Sequence, residues 1–251
     1  MLVKKEISID RKREVRNTVK KFLEDYPFID KSPLNDSIEL VEKLGIFILI
    51  DFAPDQISGF CKTIGEKDTF IFINNQMTLG RQIYSLWHEV YHWYTGEGND
   101  ISIQGSDQYE EVELAADYFA SLILIKDELL KEKLISYGIG KSNCKYIKYD
   151  QIIDLQQYFK VSYSAMVLKL VDYFSENDIK KRLALANKER AKELKEKTIN
   201  LGYDTSLLES TSDIYVSPEL FDLLEKAISM QRISNDKAQK FIEFLEKGNE
   251  S

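Results

Sequence analysis

The chain has 251 residues, 43% of them hydrophobic, enough for one large domain or for a catalytic domain with a small appendage. The net charge of -8 argues against broad, direct nucleic-acid binding, and the Lys/Arg clusters at 3–21, 126–148 and 179–197 read as solvated helix faces. No run of 18 apolar residues marks a membrane span, and the charged stretch 1–21 lacks the apolar core of a signal peptide. The two cysteines, Cys61 and Cys144, form neither a disulfide framework nor a C-x-x-C metal pair, so the expected location is the cytoplasm.

In chain order, Val15, Val19 and Phe22 recur at helical spacing and predict an amphipathic helix over 11–26, followed by a loop at Pro27 and Pro33. A second helix over 36–44 ends at Gly45. Three short apolar segments, 45–51, 58–64 and 69–74, read as strands, the last two as a hairpin across Gly65 and a charged turn. A long helix from Thr78 to Tyr94 should stop at Gly96 and Gly98. A polar loop over 96–107 follows; its glycine-bearing part, 96–106, is either a lid or a plain connection. Another helix is expected over 107–131, then a loop at 137–149. Further helices are expected at 150–159, 162–174, 176–198, 217–231 and 233–247, with 199–216 as a connection.

The informative residues are His88-Glu89-Val90-Tyr91-His92. On a helix, positions i and i+4 lie one above the other, so two imidazoles at that spacing reach one metal ion together. Position i+1 sits about 100° round the helix, from where Glu89 reaches a metal-held water without being a ligand. Zinc acidifies such a water and a carboxylate takes its proton. These are the only two histidines in the chain. Two histidines scattered at random would fall at this spacing, with a Glu after the first, on the order of one time in a thousand.

Catalytic zinc takes three protein ligands and leaves one position for water. With no third histidine and no cysteine nearby, the third ligand should be a carboxylate on a neighbouring helix. Glu110, Glu111 and Glu113 are available there. Glu113 is chosen because Asp117 follows one turn later on the same face, where it can accept a hydrogen bond from the free ring N–H of a zinc-bound histidine. Glu110 and Glu111 have Leu114 and Ala115 at that position and are read as solvating the helix start. Ala115, Ala116 and Ala120 are small enough for close packing against the motif helix. The aromatics Trp87, Tyr91 and Trp93 are read chiefly as core. Arg81 and Tyr84 are possible oxyanion-steadying groups, and neither is chosen. Two histidines and a carboxylate also suit manganese, iron or cobalt.

The stretch from Ile38 to Ile125 resembles the ImmA/IrrE family of metallopeptidases. Leu44-Gly45-Ile46 matches its helix-ending turn, Ile71-Phe72-Ile73-Asn74 its I-x-I-N string, and the run from Arg81 to Glu89 its approach to the metal helix. Glu113-Leu114-Ala115-Ala116-Asp117-Tyr118-Phe119-Ala120 matches its second helix. Residues 155–170 extend the likeness and superficially suggest a helix-turn-helix, read here as a structural helical pair. The chain departs from the pattern at Tyr91, at the acidic Gly96–Asp100 stretch and at Ile125-Lys126, none of them a proposed ligand.

The resemblance implies a zinc peptidase that cleaves a helix-turn-helix transcriptional repressor in phage, mobile-element or stress regulation. The alternative is a zinc-binding regulatory or antitoxin-like interaction protein with little proteolysis. The expected fold is α+β: a mainly helical, zincin-like domain over 1–130 with a small antiparallel sheet. A helix-turn-helix-like extension over 131–198 and an all-helical C-terminal region, with a tail at 199–251, would follow. The expected site is His88, His92 and Glu113 on zinc, Glu89 as general base and Asp117 behind the ligands.

Overall fold

The computed structural model describes residues 7–30, 33–54, 56–64, 68–98, 107–230, 232–234, 236–237, 239–240 and 243. The loop segment 99–106, the hairpin turn 65–67 and most of the expected helix 233–247 lie outside the described residues. The architecture is α+β and mainly helical, with one four-stranded sheet.

Helix α1 (Ile9–Asp25) starts at Ser8, whose Oγ accepts the Arg11 N–H at 3.1 Å, and buries Val15 and Phe22. A short α2 (Ser37–Glu42) leads through Gly45, at φ 81, into β1 (Ile46–Asp51). The hairpin strands β2 (Gly59–Ile64) and β3 (Asp68–Asn74) follow. Strand order is β2-β3-β1-β4, where β4 is Tyr215–Val216.

The sheet is mixed rather than wholly antiparallel: β1 and β3 run parallel, with Ile46 opposite Thr69, Ile48 opposite Ile71 and Ile50 opposite Ile73. The physical reason is burial. β1 and β3 carry the isoleucines that cover the core, whereas β2 presents Gly59, Cys61 and Thr63 on that side and takes the edge. The connection from β1 therefore passes the place of β3 before β2 begins. Asn74 pins that connection, accepting from Ala53 N at 3.2 Å and donating to the Ala53 and Ile57 carbonyls at 2.9 and 2.8 Å.

Helix α3 (Leu79–Thr95) carries the histidines. Its far face buries Leu86, Trp87, Val90 and Tyr91, and the Trp87 indole N–H donates to Ser37 Oγ at 3.0 Å. Phe22 of α1 packs edge-on between Trp87 and Phe119. Helix α4 (Asp107–Leu124) lies against α3 and α1, with Ala115, Ala116 and Ala120 fully buried. The single helix expected over 107–131 is two helices. Lys126 turns extended (ψ 131) and α5 (Asp127–Ser136) begins with two acidic residues in its first turn, which favour a helix N-terminus.

Helices α6 (Tyr149–Phe159) and α7 (Tyr163–Phe174) form the expected pair. Their turn is packed onto the start of α3: a Cβ on Gly80 would fall 2.8 Å from Ser162 N and 2.9 Å from Val161 C. Residues 177–186 and 188–190 are 3-10 turns rather than α-helix, and α8 (Ala191–Asn200) follows.

The C-terminal region is not all-helical. Residues 209–216, expected as part of a connection, return to the sheet and to α3, as does Ser217 just after them. Glu209 O accepts Leu79 N–H at 2.8 Å, β4 pairs antiparallel with β1, and Ser217 Oγ accepts Ile48 N–H at 2.7 Å while donating to Glu42 at 2.6 Å. An amphipathic α9 (Pro218–Ser229) follows. Among the described residues no helix is long and apolar enough to cross a membrane.

Lys169 on α7 is only 3% exposed and pairs with Asp127 at 2.7 Å; Arg16 of α1 reaches the other oxygen of that carboxylate at 3.0 Å. Burial holds the Lys169 ammonium below its ordinary value. Burial alone would raise the Asp127 carboxyl, but Lys169 and Arg16 outweigh it and hold it low. A depressed carboxyl adds stability above its unfolded value of ~3.9, and that stability is lost as pH falls through the folded value.

Asp127→Asn strands a buried ammonium and should cost about 3 kcal/mol or more, whereas Lys169→Met leaves Asp127 with Arg16 and should cost well under that. Denaturant unfolding of the two variants checks this order, and the reverse order would refute it. Gly80→Ala should also destabilise. Overpacking against the α6–α7 turn costs about 1–3 kcal/mol, more than the ~0.5–1 kcal/mol that Ala gains over Gly in a helix. A thermal midpoint at or above the parent value would contradict that close approach.

Candidate metal centre

The helical repeat sets His88 and His92 one turn apart on one face of α3, away from the buried Leu86 and Val90, and α4 brings Glu113 over them. The two Nε2 atoms are 3.1 Å apart; Glu113 places Oε2 3.2 Å from His88 Nε2 and Oε1 3.5 Å from His92 Nε2. One donor atom from each of the three lies within 4.8 Å of the others. Four tetrahedral donors about a zinc stand roughly 3.3–3.6 Å from one another. The spacing therefore fits a single small cation held by two imidazoles and a carboxylate.

The hydrogen bonds behind the rings fix which atoms face the centre. His92 Nδ1 lies 2.8 Å from the main-chain oxygen of Glu97, which can only accept, so Nδ1 carries the proton and Nε2 presents its lone pair. His88 Nδ1 lies 3.0 Å from Asp117 Oδ1, a carboxylate with the same effect. Two lone pairs and a carboxylate thus converge, an arrangement that calls for positive charge between them.

The titration of the rings expresses the same demand. Burial opposes charge on His88, yet its hydrogen bonds to Asp117 and Glu113 and the nearby Glu89 outweigh this and raise it to about 10. Burial and the charge of His88 lower His92. Burial would raise the Glu113 carboxyl, but His88 and His92 hold it below its ordinary value.

Glu89 stands apart from the ligand cluster, next to the edge strand, with its Cγ 3.5 Å from where a Gly59 Cβ would be. It is 7% exposed. Burial pushes its carboxyl up to about 7; the charge of Glu113 adds to this, while His88 and a backbone hydrogen bond from Cys61 oppose it. A carboxyl so placed can both take and return a proton near neutral pH. Among the described residues β2 pairs with β3 alone, so the other edge of the strand beside Glu89 offers backbone groups for an extended chain.

The structure thus brings His88, His92, Glu113, Glu89 and Asp117 together. It turns Glu111 outward; the side chain of Glu110 lies outside the described residues. Tyr84 donates its hydroxyl to the Asp117 carbonyl at 2.6 Å, which ties α3 to α4 and leaves that proton engaged. Arg81 is exposed. Sequence reasoning missed Glu97, because it acts through its carbonyl; the signal that could have found it is its place between Gly96 and Gly98. Both glycines take left-handed φ, 73 and 79, and a Cβ on Gly98 would fall 2.7 Å from His92 Nδ1.

No curated protein matches the chain. A model of the IrrE N-terminal-like domain, a peptidase family, matches residues 41–171, just over half of the chain and the segment that holds all five site residues. The chain belongs to the family of IrrE N-terminal-like metallopeptidases.

Proposed function

We propose that the chain is a zinc-dependent, site-specific endopeptidase of the cytoplasm whose substrate is a helix-turn-helix transcriptional repressor. The observation that carries the hydrolytic reading is the pairing of two features: a cluster of two imidazoles and a carboxylate with lone pairs converging, and a buried carboxylate beside it that is no ligand. A purely structural metal site needs no such neighbour. The choice of zinc follows from the nitrogen-rich, three-donor set; manganese, iron and cobalt accept the same donors. The repressor substrate rests on the family resemblance alone, which implies it because several members cut such regulators.

His88, His92 and Glu113 would hold the metal, which when bound supplies Lewis acidity toward a peptide carbonyl and lowers the pKa of a water. The chain's own groups do the rest. An extended substrate segment adds to the free edge of β2, which aligns its backbone beside Glu89. Glu89 takes the proton of the attacking water on a carboxylate oxygen and returns it to the departing amine nitrogen. Asp117 and the Glu97 carbonyl keep both rings turned with Nε2 inward.

The test compares zinc content and cleavage in the wild type and three variants. The substrate is a helix-turn-helix repressor encoded beside the chain's gene, with casein as an unstructured control. The wild type should hold about one zinc per chain and cut the repressor. Glu89→Gln should keep the zinc and lose cleavage by about 10²–10⁴-fold. His88→Ala and Glu113→Ala should lose both. Full cleavage by Glu89→Gln would remove Glu89 from the mechanism, and cleavage of casein but not of the repressor would remove the proposed substrate.

A further inference from the structure

The family match begins at residue 41, yet the metal centre is reached from α1, which precedes it. Arg11, in the first turn of α1, has a side chain only 17% exposed. Its Nη1 donates to Glu14 at 2.9 Å, and its Nη2 donates to the Tyr91 hydroxyl at 2.9 Å and to the carboxylate of Glu97. Tyr91, buried on α3, donates to the same Glu97 oxygen at 2.7 Å. Behind it, Thr95 Oγ1 accepts the Glu97 N–H at 3.2 Å and donates to Tyr91 O at 2.8 Å. Glu97 is therefore gripped at its amide and at its carboxylate, and its remaining polar group, the carbonyl, is the one that meets His92.

The grip has a physical reason. Gly96 and Gly98 leave the turn around Glu97 with more backbone freedom than any other residue pair would. The closeness of Gly98 to the His92 ring forbids a side chain there. What the backbone cannot fix locally, a salt bridge from another element can.

We propose that Arg11 is a positioning residue for the metal centre, clamping Glu97 so that its main-chain carbonyl holds the tautomer and orientation of His92. The proposal rests on the metal-site reading above and deepens it: the N-terminal helix is a working part of the centre. Arg16, five residues on in α1, pairs with Asp127 of α5 and, among the described residues, touches nothing at the centre, and so provides the internal control.

The experiment measures zinc affinity by chelator competition, and the visible spectrum of the cobalt-loaded protein, in the wild type, Arg11→Ala, Arg11→Lys and Arg16→Ala. Chemical shifts of 15N-labelled histidine are recorded on the metal-free proteins; with only two histidines in the chain the assignment is simple. Arg11→Ala should bind zinc about 10-fold more weakly, the scale of losses behind metal-bound histidines. It should also shift the cobalt bands and lose the Nδ1–H preference of His92, with the shifts of His88 unchanged. Arg11→Lys should restore part of the affinity, and Arg16→Ala should leave affinity and spectrum unchanged even where its thermal midpoint falls as far.

Wild-type affinity, cobalt spectrum and His92 shifts in Arg11→Ala would overturn the clamp and leave the metal site standing. Equal loss in Arg11→Ala and Arg16→Ala would overturn it in favour of general loosening of α1. A wild type that takes up neither zinc nor cobalt would overturn both the clamp and the metal reading beneath it.

Discussion

Two imidazole nitrogens on successive turns of α3 point their lone pairs at one spot 3.1 Å across, and a carboxylate closes over them. Such a convergence is repulsive unless a cation or a proton sits within it, and a helix free to roll would relieve it by turning one ring away. The structure prevents the roll from the opposite face. Val90 is fully buried there, Trp87 and Tyr91 on the flank pack on Phe22 and Phe119, and the Trp87 indole is tied to Ser37. Burying side chains of that size contributes roughly 1.5–3 kcal/mol each. The apolar face thus holds the polar one in a geometry it would not choose.

The second constraint is electrostatic. Glu89, Glu113, Asp117 and Glu97 crowd around two rings on a chain that is already net negative. Each acid is given a distinct local answer. Glu113 and Asp117 lean on His88, Glu97 is neutralised by Arg11, and Glu89 is buried until its proton is held to about neutral pH. Environments that push neighbouring carboxyls apart in acidity are what allow one to serve as ligand and another as base.

Much of this was legible from sequence, because the carrying signals are local. Histidine occurs only at 88 and 92, helical periodicity puts both on one face, and Asp117 follows Glu113 by one turn. The alanines of α4 announced close packing, and Ala115, Ala116 and Ala120 are indeed buried. What could not be read depends on contacts between distant segments. The parallel pairing of β1 with β3 follows from which strand buries its isoleucines, whereas the hairpin of β2 with β3, marked by its short charged turn, forms as expected. The break at Lys126 has no glycine or proline to mark it. Strand β4 is two residues long, and its pairing is fixed largely by Ser217 and Tyr215 meeting Glu42. Glu97 works through a carbonyl, which no residue type announces.

Both segments that flank the family match turn back onto α3. Ahead of it, α1 supplies Phe22 to the buried face and Arg11 to the turn after His92. Beyond it, Glu209 and Thr211 meet Leu79 and Gln82 at the helix start. The helix N-terminus has amide groups that must find acceptors, and the returning segment supplies one of them. The helix C-terminus has to end within one turn of His92 to let a carbonyl approach the ring, and Gly96 and the Arg11 clamp accomplish that. A helix that carries the candidate ligands and is fixed at both ends by residues outside the matched segment keeps them in register even though the strand beside it, β2, is an edge among the described residues. That is the combination a peptidase requires: a rigid set of ligands next to backbone groups still free to receive a substrate.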